Sequence, residues 1–169
     1  WSSDVCSSDL LSPETSLQWD FGMGYESGKV GAELSFFYNA IDNFIYYRNS
    51  GGETKEVDGT AYPVYRYVQG NSVLYGAELM LDYHITDPLH FENKISYVRG
   101  ENNDQHTALP FVPPLHWNSE LSYSIIKRSN KIIRELQAKV ILDVYATQDR
   151  IDTFETETKG ATIVGASIN

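Results

Sequence analysis

Leu17–Tyr38 reads LQWDFGMGYESGKVGAELSFFY, and its period decides the fold. Leu17, Trp19, Phe21, Met23 and Tyr25 hold the odd positions, against Gln18, Asp20, Gly22, Gly24 and Glu26 on the even ones. Successive side chains of a strand point to opposite faces, so this is a strand with one apolar face. Ser27-Gly28 supplies a tight turn. The chain then returns through Val30, Ala32, Leu34, Phe36 and Tyr38, with Lys29, Gly31, Glu33 and Ser35 opposite. The spacing predicts an antiparallel hairpin.

The same rhythm continues along the chain. Alternation fades over 41–47, and a polar stretch rich in Gly, Glu and Thr follows over 48–62. Val73, Tyr75, Ala77, Leu79, Leu81, Tyr83 and Ile85 restore the period, and Thr86-Asp87-Pro88 turns the chain. Leu89, Phe91, Ile95 and Tyr97 lead upward, broken only by Asn93. A second polar stretch covers 100–115. Trp117, Leu121, Tyr123 and Ile125 form a fifth strand, a basic turn covers 127–131, and Leu136, Ala138, Val140, Leu142 and Val144 form a sixth. A third polar stretch precedes a seventh strand from Ala161. The fold class expected is all-β: an up-and-down antiparallel meander of about seven long strands, without helices.

Short and long connections alternate strictly. A soluble sandwich has no reason to sort loop length by end, whereas an outer-membrane barrel has short turns at one rim and long loops at the other. Strands of about ten residues suit a tilted membrane strand better than the usual soluble strand of about 5–6. Trp19, Tyr25, Leu34, Tyr38, Leu81, Tyr83, Tyr97, Trp117, Tyr123 and Leu142 are therefore expected to face lipid or to form aromatic girdles. A soluble or surface-attached all-β binding module also fits the alternation, with the apolar face in a core. A channel without a plug fits it as well. The net charge of −10 argues against a nucleic-acid partner, which requires clustered Lys and Arg. No phosphate loop, serine elbow or Cys-His pair is present, so neither an enzyme nor a cofactor is expected.

Three stretches carry a family resemblance. LSPETSLQWDFGMGYESGKVGAELSFFYNAIDNFI, residues 11–45, resembles the signature hairpin of the TonB-dependent outer-membrane receptors. Leu11, Pro13, Glu14 and Ser16 match its lead-in, and Phe37, Tyr38, Asp42, Phe44 and Ile45 match its closing pattern. NSVLYGAELMLDYHITDPLHFENKISYVRGEN resembles the following hairpin, with Tyr75-Gly76-Ala77-Glu78 as its Tyr-Gly-x-Glu element. LPFVPPLHWNSELSY resembles the lead into the next strand. The resemblance implies part of a barrel of roughly 22 strands around an N-terminal plug. It also implies import of a scarce nutrient across the outer membrane of a Gram-negative bacterium, most simply a ferric siderophore or other metal chelate. The TonB complex would energise it through regions not present in this chain.

In such receptors the long-loop rim touches the ligand. Tyr62, Tyr65 and Arg66 on the first polar stretch, and Gln105 and His106 beside Asp104 on the second, are the candidate contacts. Arg pairs bidentately with carboxylates, which suits an anionic chelate. His84 and His90 flank the Thr86–Pro88 turn on the polar face, but with no third ligand apparent no metal site is expected.

The opening decapeptide WSSDVCSSDL belongs to neither the alternation nor the family pattern. It resembles, over all ten residues, the conceptual translation of a sequencing-library adapter joined to a gene fragment in a draft or metagenomic assembly. Residues 1–10, with the only cysteine, Cys6, are therefore expected to be non-native. Residues 11–169 are expected to be a partial receptor barrel.

Overall fold

A computed structural model of the chain describes residues 11–126, 136–153 and 155–169. The expectations for residues 1–10 and for the basic turn at 127–131 lie outside the described residues. The strands are β1 (Thr15–Ser27), β2 (Val30–Val57), β3 (Thr60–His84), β4 (Leu89–Asn102), a two-residue β5 (Thr107–Ala108), β6 (His116–Ile126), β7 (Leu136–Tyr145) and β8 (Ala161–Ile168). They form one antiparallel sheet in the order β1-β2-β3-β4-β6-β7-β8, with β5 hydrogen-bonded to β4. The sheet is an open meander, with β1 and β8 at its edges.

Register converts the sequence period into two faces, because residues directly opposite each other share a face. Met23, Leu34, Leu79, Ile95, Trp117 and Val144 form one continuous apolar row. Tyr25, Ala32, Leu81, Asn93, Ser119, Leu142 and Val164 form the next. Trp19, Tyr38 and Tyr75 lie together at one end of this face, and Tyr123 lies toward the other. Asn93 interrupts the apolar face without leaving its amide bare, since the Trp117 indole N–H donates to Asn93 Oδ1 at 3.0 Å.

Among the described residues no second layer covers this face. Trp19 is 67% exposed and Met23 54%. Among the described residues the buried apolar side chains are Tyr46, Val73 and Leu109, while Ser72, Asn102, Ser122 and Asp152 are buried too. A soluble sandwich would bury such apolar rows in a core against a second sheet. On the opposite face charges meet partners: Lys94 and Glu92 at 2.5 Å, Lys139 and Glu120 at 2.7 Å, and Asn118 donating to Asp143 at 2.7 Å.

The polar stretch over 48–62 is not a loop. β2 and β3 run on through it as a paired ribbon and turn at Asp58-Gly59, with φ of 51° and 78°. Two successive positive φ values in a two-residue loop are the requirement of a type I′ hairpin, which Asp-Gly meets readily. From the Phe44–Gly70 pair to the Val57–Thr60 pair β3 takes ten steps, so the ribbon extends about 33 Å at about 3.3 Å per residue; β2 fits its three extra residues into a second irregularity between Asn49 and Thr54. Alternation fades over 41–47 because of a β-bulge rather than fraying. Asp42 and Asn43 together oppose Asn71, and Asn43 takes a left-handed φ of 56°. The Asn71 carboxamide oxygen accepts from Asn43 N at 3.3 Å, and Glu14 Oε1 accepts from Ile45 N at 2.5 Å. Glu14 of the lead-in thus satisfies a backbone donor of β2 beyond Asp42, where its pairing with β1 ends.

Gly76 has an equally local reason. A Cβ there would lie 2.3 Å from the Tyr97 carbonyl oxygen and 2.5 Å from the ring of Phe37, its direct cross-strand partner. The ring fills the space that glycine leaves. Gly76→Ala must push apart backbone as well as a ring, and it is expected to cost about 1–3 kcal/mol of stability. Denaturant titration, read by far-UV circular dichroism, measures this; an unchanged midpoint contradicts the packing described.

Candidate functional site

The rim at the long-connection end is assembled from three chain segments. The bulge at Asp42-Asn43 re-phases β2, so that Tyr46 and Arg48 share a face with Val68 and Arg66. From this position Arg48 reaches both other segments. Its Nε lies 2.7 Å from Asp152 Oδ2, and its Nη2 donates to Asp152 Oδ1 at 2.8 Å. Its other terminal nitrogen donates to Gln105 Oε1. The Asp152 side chain is only 4% exposed, and this planar fork is what a carboxylate so withdrawn from water requires. Glu155 continues the clasp. It accepts from Asp152 N and Phe111 N, each at 2.9 Å, which ties the β7–β8 connection to the one between β4 and β6.

A second seam runs alongside. The Asn102 amide donates to the Tyr46 hydroxyl at 2.9 Å, in a buried hydrogen bond, and its oxygen accepts from Gln105 N at 2.9 Å. Asp104 accepts from Asn71 N at 2.7 Å. Glu101 accepts from Arg150 at 2.7 Å and also from Arg99. Leu109, 2% exposed, packs down onto Gly100, where a Cβ would lie 3.0 Å from its Cδ1. Beside it lies a cavity of about 220 Å³, lined in part by Tyr97, Pro113 and Arg150.

The sequence candidates fall into two groups that are not brought together as one site. Tyr62, Tyr65 and Arg66 lie on β3 in the extended ribbon. Tyr65 stacks on Tyr47 with ring centroids 4.9 Å apart, and Tyr67 packs on the same ring at 5.4 Å. Arg66 pairs with Glu53 at 2.8 Å, both exposed, and Tyr62 is exposed. Gln105 is engaged by Arg48, whereas His106 is exposed in a turn with φ of 55°. Sequence reasoning missed Arg48 and Asp152, which hold the rim together. It also missed the third donor beside His84 and His90. Asp82 lies on their face, and ligand atoms of all three fall within 4.8 Å of one another.

The comparisons with known proteins agree with this geometry. A family model described as TonB dependent receptor-like, β-barrel, matches residues 7–169. Among curated proteins none matches the chain. The structure is similar to the copper transporter OprC, at 22% identity and a TM-score of 0.78, over 98% of this chain and 24% of that one. It is similar to the ferric enterobactin receptor PfeA from Pseudomonas aeruginosa, at 21% identity and a TM-score of 0.65, over 94% and 24%. It is similar to the siderophore receptor PirA from Acinetobacter baumannii, at 18% identity and a TM-score of 0.64, over 94% and 26%. The chain spans about a quarter of the length of each. By the match across nearly its whole length, this chain belongs to the TonB-dependent receptor β-barrel family.

Proposed function

We propose that the chain is a piece of the barrel wall of an outer-membrane receptor importing a scarce nutrient, most simply a ferric siderophore or another metal chelate. The observation that carries this reading is the inverted burial of the sheet. Among the described residues its apolar rows carry no second layer, many of their side chains are exposed, and its polar face holds the paired charges, as a lipid-facing wall around a hydrated interior requires. In this reading Trp19, Tyr38, Tyr83, Tyr97 and Tyr123 meet the lipid interfaces, and Leu34, Leu81, Trp117 and Leu142 meet the hydrocarbon. The exposed ribbon and its Arg66 suit first contact with an anionic chelate at the outer rim. Coupling to TonB belongs to regions of the receptor outside this chain.

The test is uptake by the complete receptor in a Gram-negative host stripped of its own receptors. The host is offered radiolabelled ferric catecholates, ferric hydroxamates and a copper chelate in turn. Accumulation of one class, lost when TonB is deleted, is the expected result. Uptake of small solutes irrespective of chelate and of TonB would instead make the protein a channel.

A further inference from the structure

The two histidines flanking the β3–β4 turn acquire a third donor in the folded chain. Thr86 and Leu89 close this turn with reciprocal backbone hydrogen bonds of 3.2 and 3.1 Å. His84 and His90 are the directly opposed pair next to it, with ring centroids 4.5 Å apart. Asp82 precedes His84 by two residues and so lies on the same face. One of its oxygens is 3.3 Å from His84 Nδ1 and the other 2.6 Å from His90 Nε2. We propose that Asp82, His84 and His90 bind one divalent transition-metal ion of the Zn²⁺ class, bracing the β3–β4 hairpin at the short-turn end of the sheet.

Three observations carry this. The first is geometric: bonds of about 2.0–2.2 Å to a tetrahedral ion set its donors roughly 3.3 Å apart. The His84–Asp82 spacing already has that value; the His90 contact of 2.6 Å is a hydrogen bond to the other Asp82 oxygen, so an ion would take its place as the carboxylate turns. The second is electrostatic. Asp82, Glu92 and Glu120 lie directly opposite one another on three neighbouring strands, and like charges so placed repel. Glu92 has Lys94 and Glu120 has Lys139, whereas the ion-pair partners of Asp82 among the described residues are the two imidazoles. A cation held there supplies the missing charge. The third is access: Asp82 and His84 open onto a hollow of about 590 Å³ that is also lined by Glu26. Two imidazoles and one carboxylate suit Zn²⁺, Cu²⁺ or Ni²⁺ rather than Mg²⁺ or Ca²⁺, and leave a position for water.

This goes beyond the import reading and does not depend on it. Asp82 is 16 residues along β3 from Arg66, about 50 Å in an extended strand, so the ion is not cargo captured at the outer rim. The experiment is equilibrium dialysis of the complete receptor in detergent against Zn²⁺ alone, with Mg²⁺ in excess. Co²⁺ absorption serves as a second readout of ligand geometry. One equivalent of Zn²⁺ is expected, with affinity falling about tenfold or more in each of D82N, H84Q and H90Q. His84 is exposed, so H84Q retains the fold, and heat-modifiable mobility verifies this for all three variants. Zn²⁺ binding equal to wild type in folded H84Q overturns the proposal, as does the absence of bound Zn²⁺ in the wild type.

Discussion

Arg48→Ala is expected to cost the complete receptor about 3 kcal/mol and to free the β7–β8 connection from the rim. The guanidinium holds a carboxylate that is almost wholly withdrawn from water, through two bonds of 2.7 and 2.8 Å. Removing one partner of a buried pair leaves the other charged and unsolvated, and such losses run to about 3–5 kcal/mol. Arg48 retains 18% side-chain exposure, so water relieves part of this and the lower end applies. The same substitution strips Gln105 of its donor, so two connections loosen together. Asp152→Asn keeps the shape and one acceptor oxygen, and its expected effect is smaller. The double variant Arg48→Ala/Asp152→Ala removes both charges, and its cost is expected to fall below the sum of the single ones. Protease nicking within 146–160 on intact cells, together with denaturant midpoints, measures all three. Wild-type nicking rates in Arg48→Ala would remove the clasp from the account of the rim.

Where apolar and polar residues alternate, the sequence is readable. Leu17–Tyr38 was predicted as a hairpin, and the register pairs Trp19 with Tyr38 and Met23 with Leu34, as its alternation requires. Over 48–62 the residues are mostly polar on both faces, so no alternation shows there and the stretch reads as a loop. Asp58-Gly59 was the signal that would have found the ribbon, since that dipeptide matches the left-handed backbone of a tight hairpin. The rim was less legible for a different reason. Arg48 and Asp152 are 104 residues apart, and no local pattern links them. The Asp82 donor was within reach of sequence reasoning. Period two places 82 and 84 on one face, and a turn at 86–88 sets 84 opposite 90. Gly76 and Glu14 entered through the family pattern, and the structure gives each a physical cause: a ring and a carbonyl against one, an orphaned amide for the other.

Leu34→Arg separates the two environments that an alternating strand can face. Leu34 lies in the row Met23, Leu34, Leu79, Ile95, midway between the Trp19–Tyr38–Tyr75 row and the row of Tyr83 and Phe91. On the proposed reading that is near the bilayer midplane, where arginine on the lipid face costs about 2–4 kcal/mol. Ser35→Arg, one residue on, projects the same side chain to the opposite face beside Glu33 and Glu78, two carboxylates bordering one hollow with Lys94. There the expected change is within about 0.5 kcal/mol. The contrast between adjacent positions cancels the introduced side chain, the chain length and the net charge, so that the difference is dominated by the medium that each face meets. Reversible unfolding of the complete receptor in lipid vesicles, monitored by tryptophan fluorescence, measures it. In detergent micelles, where water and headgroups reach the face more easily, the Leu34→Arg penalty is expected to shrink while the Ser35→Arg value stays put. Equal costs at the two positions in vesicles would mean that the apolar rows are covered by protein, and the sheet would have to be read as the face of a core.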